Sequence, residues 1–190
     1  MLPPWLTRKV ETRLSLFCGV WRRRRCSEWV CNVLEFSFQL RFRECPPLTS
    51  TPSAFVDKGS IMKRTALGSL IQSMQQNNIV EVLRDTSTSP VCYSHAFLVP
   101  KKSGGWRPVI DLSFLNSFLE IPYFTMESAQ SIQRSLPRGA WVTSIDLVDA
   151  YFHIAIHRGY RKFLRFQTQD TIYQFRALPF GLSPAPWVFT

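Results

Sequence analysis

From Lys63 to Leu83 apolar residues recur at three- and four-residue steps, at Leu67, Leu70, Ile71, Met74, Ile79, Val82 and Leu83. That spacing gathers side chains on one face of an α-helix and predicts a helix over the stretch. The Asp85–Pro90 cluster, with Ser and Thr between, predicts its end. Beyond it the rhythm shortens to that of strands. Ala96 to Pro100 and Trp106 to Leu112 are two short apolar runs joined by Lys101-Lys102-Ser103-Gly104-Gly105, which predicts a hairpin with a basic tip. Met126 to Leu136 reads as a helix stopped by Pro137 and Gly139, and Trp141 to Leu147 as a strand that turns out through Val148-Asp149-Ala150-Tyr151. Phe163 to Thr168 and Thr171 to Arg176 form a second hairpin around Gln169-Asp170, and a helix begins near Ser183. Before Lys63 the order is weaker. Residues 1–45 are rich in Trp and Arg with little periodicity, and residues 46–60, with Pro46, Pro47 and Pro52 among Ser and Thr, read as an extended connector. No internal repeat is visible.

Composition sharpens this picture in two ways. Hydrophobic residues make up 45% of the 190, with fifteen Phe and six Trp, enough to build a core. With only 19% charged residues, the chain lacks the signature of disorder. The charge itself is one-sided: 23 Lys and Arg against 13 Asp and Glu leave +10. Such a balance suits a partner with a phosphate backbone, whose condensed counterions are released on binding, although a solvated basic surface has the same composition. The five cysteines (Cys18, Cys26, Cys31, Cys45 and Cys92) show no Cys-x-x-Cys and no zinc-ligand spacing, so reduced thiols in an intracellular protein, cytoplasmic or nuclear, are expected. No apolar run is long enough to span a bilayer. Leu14 to Trp21 is apolar, but Arg22-Arg23-Arg24-Arg25 follows it, which is the wrong flank for a signal peptide.

Three segments carry chemistry. The run Val142-Thr143-Ser144-Ile145-Asp146-Leu147-Val148-Asp149-Ala150-Tyr151 puts a carboxylate at a strand end, with an adjacent backbone carbonyl. Oxygen ligands on a rigid element suit a hard cation, and phosphoryl transfer uses such a cation to neutralise charge developing on phosphate oxygens. A strand-end Asp also serves to cap a turn. The tip Val99-Pro100-Lys101-Lys102-Ser103-Gly104-Gly105-Trp106-Arg107 offers point charges from Lys and a planar fork from Arg to a polyphosphate, or a plain basic turn to solvent. The loop Ala177-Leu178-Pro179-Phe180-Gly181-Leu182-Ser183-Pro184 places a glycine before a helix start, where a base or sugar can approach the backbone. His153 and His157, four residues apart, read as surface residues, and His95 is given no role.

In their order and spacing these segments resemble reverse transcriptases. They look most like those of tyrosine-recombinase retrotransposons of the DIRS type, and next most like the Ty3/gypsy and retroviral enzymes. The resemblance rests on Leu98 to Asn116, similar to the fingers strands, on Ser144 to Phe152, similar to the first palm motif, and on Leu178 to Pro186, similar to the second. A weaker likeness to the DIRS-type lead-in runs through Arg13-Leu14, Phe17 and Trp21, then Trp29-Val30 and Pro46-Pro47-Leu48. It implies an α+β fold in which the fingers and a partial palm of a right-hand polymerase pack together. Residues 1–45 would be a basic lead-in, 46–60 a connector, 61–136 the fingers-like region and 137–190 the partial palm.

Position by position, the resemblance makes Asp146 the first metal-binding and catalytic aspartate, with the Leu147 carbonyl as a backbone ligand to Mg²⁺. Lys102, with Lys101 as a second choice, and Arg107 would grip the incoming dNTP triphosphate, with Asp149 in support. Tyr151 would exclude a 2′-hydroxyl, Phe180 and Gly181 would line the nucleotide and template pocket, and Asp111 would be structural. The implied partners are an RNA or DNA template-primer and dNTP, with no membrane, and parent polyproteins also carry ribonuclease H. One departure is large. Only 44 residues follow Asp146 and no adjacent Asp-Asp pair occurs, so the family's Tyr-x-Asp-Asp hairpin is expected to be missing from these residues. A polypeptide of this sequence is expected not to polymerise by itself, and a non-catalytic nucleic-acid-binding protein is the alternative.

Overall fold

A computed structural model describes residues 14–50, 61–83, 90–102, 104–168 and 171–190. The Asp85–Ser89 stretch, most of the 46–60 connector, Ser103 and the Gln169-Asp170 turn lie outside the described residues. Two short helices, α1 (Cys18–Arg23) and α2 (Glu28–Phe36), precede the long α3 (Ile61–Gln76). Five strands follow: β1 (Val80–Leu83), β2 (Tyr93–Pro100), β3 (Trp106–Asp111), β4 (Arg165–Thr168) and β5 (Thr171–Phe175). The helices α4 (Ser113–Asn116) and α5 (Ala129–Ser135) lie between β3 and β4, and α6 (Ala185–Phe189) closes the order. The α+β expectation agrees with this architecture.

The strands make one sheet in the order β1-β5-β4-β2-β3. Pairings are antiparallel except β2 with β4, where Tyr93, Ser94 and His95 run parallel to Arg165, Phe166 and Gln167. Register puts Ser94, Ala96 and Ile110 on the buried face, because side chains alternate along a strand. The core they join holds Leu67 and Ile71 of α3, Leu115 and Leu119 around α4, and Phe166 and Phe175 at sheet centre. Glu81 on β1 accepts from Gln174 Nε2 at 2.7 Å and from Arg161 Nη1 at 3.4 Å. Arg161 also donates through Nε to the Ile156 carbonyl at 3.0 Å, so this buried guanidinium has partners for its charge and its donors.

Several elements differ from the sequence reading. The helix from Lys63 does not reach Leu83. It stops at Gln76, where Asn78 takes a left-handed φ of 61°. The Asn78 and Ile79 amides close back on Gln75 and Met74 at 3.0 and 2.9 Å, a helix-ending pair of bonds that a tolerant Asn permits. Ile79 is buried just before β1, so the β-branched Ile79-Val80 pair serves the sheet and not the helix. The Met126–Leu136 helix contracts to α5, whose N-terminus is fixed by Ser128 and Ser131 in a reciprocal capping arrangement. The weakly periodic lead-in contains α1 and α2, with Ser27 accepting from the Val30 amide at the start of α2.

The largest correction concerns Trp141–Leu147, which forms no strand. Trp141 is fully exposed, Ile145 is 83% exposed and Val148 79%. A strand needs a neighbour for its backbone amides and carbonyls, and no described strand lies beside this segment. Among the described residues, no helix is long and apolar enough to cross a membrane.

Candidate nucleotide site

The basic hairpin is built as its sequence requires. Lys101 donates its amide to the Gly105 carbonyl at 3.0 Å, and Gly104 returns its amide to the Lys101 carbonyl at 3.1 Å. Gly104 and Gly105 take φ of +88° and +80°, which a residue with a Cβ adopts only under strain. Lys101 and Lys102 are exposed at the tip. Arg107 pairs with Val99 across the hairpin and is exposed, on the same face as Asp111 two register steps away. Asp111 accepts from both the hydroxyl and the amide of Ser113, at 2.5 and 3.0 Å, and so ties the end of β3 to α4. Those bonds, with a smaller contribution from His95 opposite, hold its carboxyl below the usual range.

The other cluster lies where the Ser144–Phe152 and Leu178–Pro186 segments meet. Asp149 takes a left-handed φ of 56° and turns the chain into the 3₁₀ turn Ala150–His153. That turn presents the Tyr151 ring 4.8 Å from Phe180 and 5.6 Å from Phe189, while Phe152 meets Phe180 edge-on at 5.1 Å. Phe180 remains half in solvent. Gly181 beside it has φ +88°, and a Cβ there would come within 3.6 Å of the Ile110 carbonyl. A side chain would fit that contact, so the left-handed backbone is what calls for glycine.

Asn116 holds the loop in place, a role that sequence reasoning missed. Its Nδ2 donates to the Gly181 carbonyl and its Oδ1 accepts from the Ser183 amide, each at 2.8 Å. One side-chain amide thus satisfies two backbone groups of the Phe180–Ser183 turn from the end of α4. The signal available was the position of Asn116 at the close of the Leu98–Asn116 run, where an amide can mimic a strand partner.

Tyr151, Phe180 and Gly181 are therefore brought together. Asp146, Lys101, Lys102, Arg107 and Asp149 are not joined to them, or to each other, by any side-chain hydrogen bond, ion pair or ring contact among the described residues. Asp146 is exposed within the 141–147 segment, which pairs with no strand among the described residues. No group of three or more His, Cys, Asp or Glu able to hold a metal occurs among the described residues. His153 and His157 are half-buried and engaged locally: His153 Nε2 lies 3.1 Å from the Val148 carbonyl, and His157 Nδ1 accepts from the Gly159 amide at 3.3 Å. All five cysteines are free, and burial pushes the Cys92 thiol up to about 11, which keeps it protonated.

The described residues form an α+β protein with a mixed sheet, a glycine-tipped basic hairpin, and an aromatic turn packed on a glycine loop, and comparison with known sequences shows what it resembles. Residues 99–190 match the profile of the family described as reverse transcriptase (RNA-dependent DNA polymerase). Over 122 residues the chain is 32% identical to the retrovirus-related Pol polyprotein from transposon 412 of Drosophila melanogaster, covering 61% of this chain and 10% of that protein. It is 24% identical over 124 residues to the Tf2-3 transposon polyprotein of Schizosaccharomyces pombe, covering 65% and 9%. The fold matches the crystal structure of the prototype foamy virus protease-reverse transcriptase with a TM-score of 0.60 at 18% identity, covering 80% of this chain and 19% of that one. A foamy viral protease-reverse transcriptase in complex with an RNA/DNA hybrid matches with a TM-score of 0.60 at 18% identity, over 79% of this chain and 20% of that chain. Residues 99–190 are similar in sequence to the reverse-transcriptase domain carried by transposon and retrovirus-related polyproteins. The chain spans about a tenth of the curated relatives it matches.

Proposed function

We propose that these residues are the fingers and first palm portion of an RNA-directed DNA polymerase, acting on an RNA or DNA template-primer and dNTP. The observation that carries this reading is the seating of Tyr151 on Phe180 beside Gly181, which brings two motifs distant in sequence to one aromatic step. In that role Tyr151, braced by Phe180 and Phe189, sits under the sugar and has no room to yield to a 2′-hydroxyl. Gly181, without a side chain and fixed by Asn116, leaves the backbone open to the base pair. Lys102, Lys101 and Arg107 neutralise the triphosphate, with Asp149 supporting the turn that carries Tyr151.

Asp146 and the Leu147 carbonyl offer two oxygens toward Mg²⁺, which takes an octahedral shell of oxygens. The donor set within these residues is partial, and an adjacent acidic pair is absent from them. When bound, Mg²⁺ would neutralise charge on the transferring phosphate. The foamy viral relative captured with an RNA/DNA hybrid supports a template-primer as the partner. The finer assignment to DIRS-type elements rests on the likeness of the lead-in residues Trp21, Trp29-Val30 and Pro46-Pro47-Leu48 to theirs.

The test is a chimera in which residues 94–190 replace the corresponding segment of the transposon 412 polymerase. Primer extension is expected, with loss of product on Asp146→Asn and entry of ribonucleotides on Tyr151→Ala. A chimera whose activity ignores Asp146→Asn sinks the reading. The 190-residue chain alone is expected to yield no extension product with Mg²⁺ and dNTPs.

A further inference from the structure

We propose that the open groove between α2 and the chain that leaves it seats a base of single-stranded nucleic acid, outside the residues assigned to the nucleotide site. The groove has a volume of about 400 Å³. Its walls carry three kinds of group that a strand with unstacked bases uses. Phe36 provides an exposed ring, with the half-buried Trp29 and Tyr160 also in the lining, Asn32 and Gln39 provide amide donors and acceptors, and Arg41 provides a cation. Bases of any identity stack on aromatic rings, base edges bond to amides, and phosphates pair with guanidinium. The Asn32 and Gln39 amides are exposed and make no hydrogen bond to another described residue.

Two further observations point the same way. Phe36 is 58% exposed at the last position of α2, and Ser37 after it holds φ 71° with ψ 155°, a backbone state that is almost confined to glycine. That turn leaves Phe36 outside while Phe38 is buried and bridged to Ile156. A ring kept in solvent is what an unstacked base can stack on. Charge then selects the partner. Arg22 pairs with Glu35, next to Phe36, and so ties the exposed Arg23-Arg24-Arg25 run to the end of α2. Over residues 14–45, six arginines against three glutamates leave +3. An apolar protein partner would gain nothing from that excess, whereas a polyphosphate strand releases counterions on meeting it. A duplex keeps its base faces stacked inside, so the single strand is the form that fits.

The inference does not depend on the polymerase reading, and different variants report on the two. Anisotropy of labelled hexathymidylate and of an abasic deoxyribose-phosphate hexamer is measured with the full 190-residue chain. The thymidylate is expected to bind more tightly. Phe36→Ala should weaken it about tenfold and leave the abasic strand unchanged, because stacking needs a base. Arg41→Ala should weaken both and lower the slope of log affinity against log salt by about one. Both side chains are exposed, and an unchanged circular dichroism spectrum verifies folding. Equal affinity of Phe36→Ala and parent for thymidylate overturns the inference. So does an equal loss on both strands, or a change confined to self-association of the chain. Loss of binding on Lys102→Ala with Arg107→Ala, but not on Phe36→Ala, would remove this site and leave the proposed polymerase role standing.

Discussion

Two apolar stretches of this chain meet opposite fates. Phe163–Ala177 carries Phe166 and Phe175 into the centre of the sheet, where each is at most 1% exposed. Trp141–Val148 has similar strand-forming residues, yet Trp141, Val142, Ile145 and Val148 stay in solvent. The difference is pairing. Phe166 sits in β4, which has β5 on one side and β2 on the other, so its backbone groups are bonded on both edges. Residues 141–148 have no such neighbour among the described residues, and none of their amides donates to another backbone carbonyl there. A hydrophobic run becomes a strand when the rest of the chain offers it a ladder, and propensity alone does not supply one.

That contrast can be broken most sharply at Phe166. Phe166→Ala should lower stability by about 3–5 kcal/mol in denaturant melts, whereas Ile145→Ala should stay within about 0.5 kcal/mol. Comparable losses at the two sites would mean that the 141–148 segment is packed in solution. Hydrogen exchange sharpens the same point, with the β4 amides expected to be protected and those of residues 142–148 to exchange quickly.

Asn116→Ala comes next. It strips the Gly181 carbonyl and the Ser183 amide of their partner and should cost roughly 1–3 kcal/mol. Phe180, half in solvent, should report the release of its loop through altered near-ultraviolet dichroism. Gly181→Ala should be milder, about 1–2 kcal/mol, because the penalty is the left-handed backbone and not the 3.6 Å contact with Ile110.

The smallest effect is the pH response of Asp111. Its carboxyl titrates below the unfolded value, so the bonds to Ser113 stabilise fully above the ordinary carboxylate range. That contribution is lost as pH falls through the lowered folded value. Acid titration of thermal stability should show this loss in the parent and not in Asp111→Asn, and identical acid slopes would place the stabilisation elsewhere.

Local chemistry explains which features were legible before the fold was known. The Lys101–Gly105 tip and the Thr168–Thr171 hairpin could be read because turn residues and flanking apolar runs define them within a few positions. The end of α3 was misread because Ile79, Val82 and Leu83 continue the helical spacing, while the stop depends on Asn78 accepting a left-handed turn. Of the lead-in helices, α1 is six residues long and buries none of its side chains, whereas α2 carries an apolar face with Cys31 and Leu34 buried that was legible in the sequence and was passed over. Of the candidate site, Tyr151, Phe180 and Gly181 could be named from motif order, but their mutual contact could not.

Sequence by itself determined the charge of +10, the hairpin with its basic tip, the acidic residues of the Asp146 motif and the glycine loop, since each rests on residues adjacent in the chain. Tertiary structure alone decided that Asn116 would clasp the Phe180–Ser183 turn 65 residues away, that Phe36 would stand out over a groove, and that Trp141–Leu147 would have no neighbouring strand among the described residues. Those outcomes depend on which distant groups arrive to satisfy a backbone or cover a ring. No local pattern encodes that arrival.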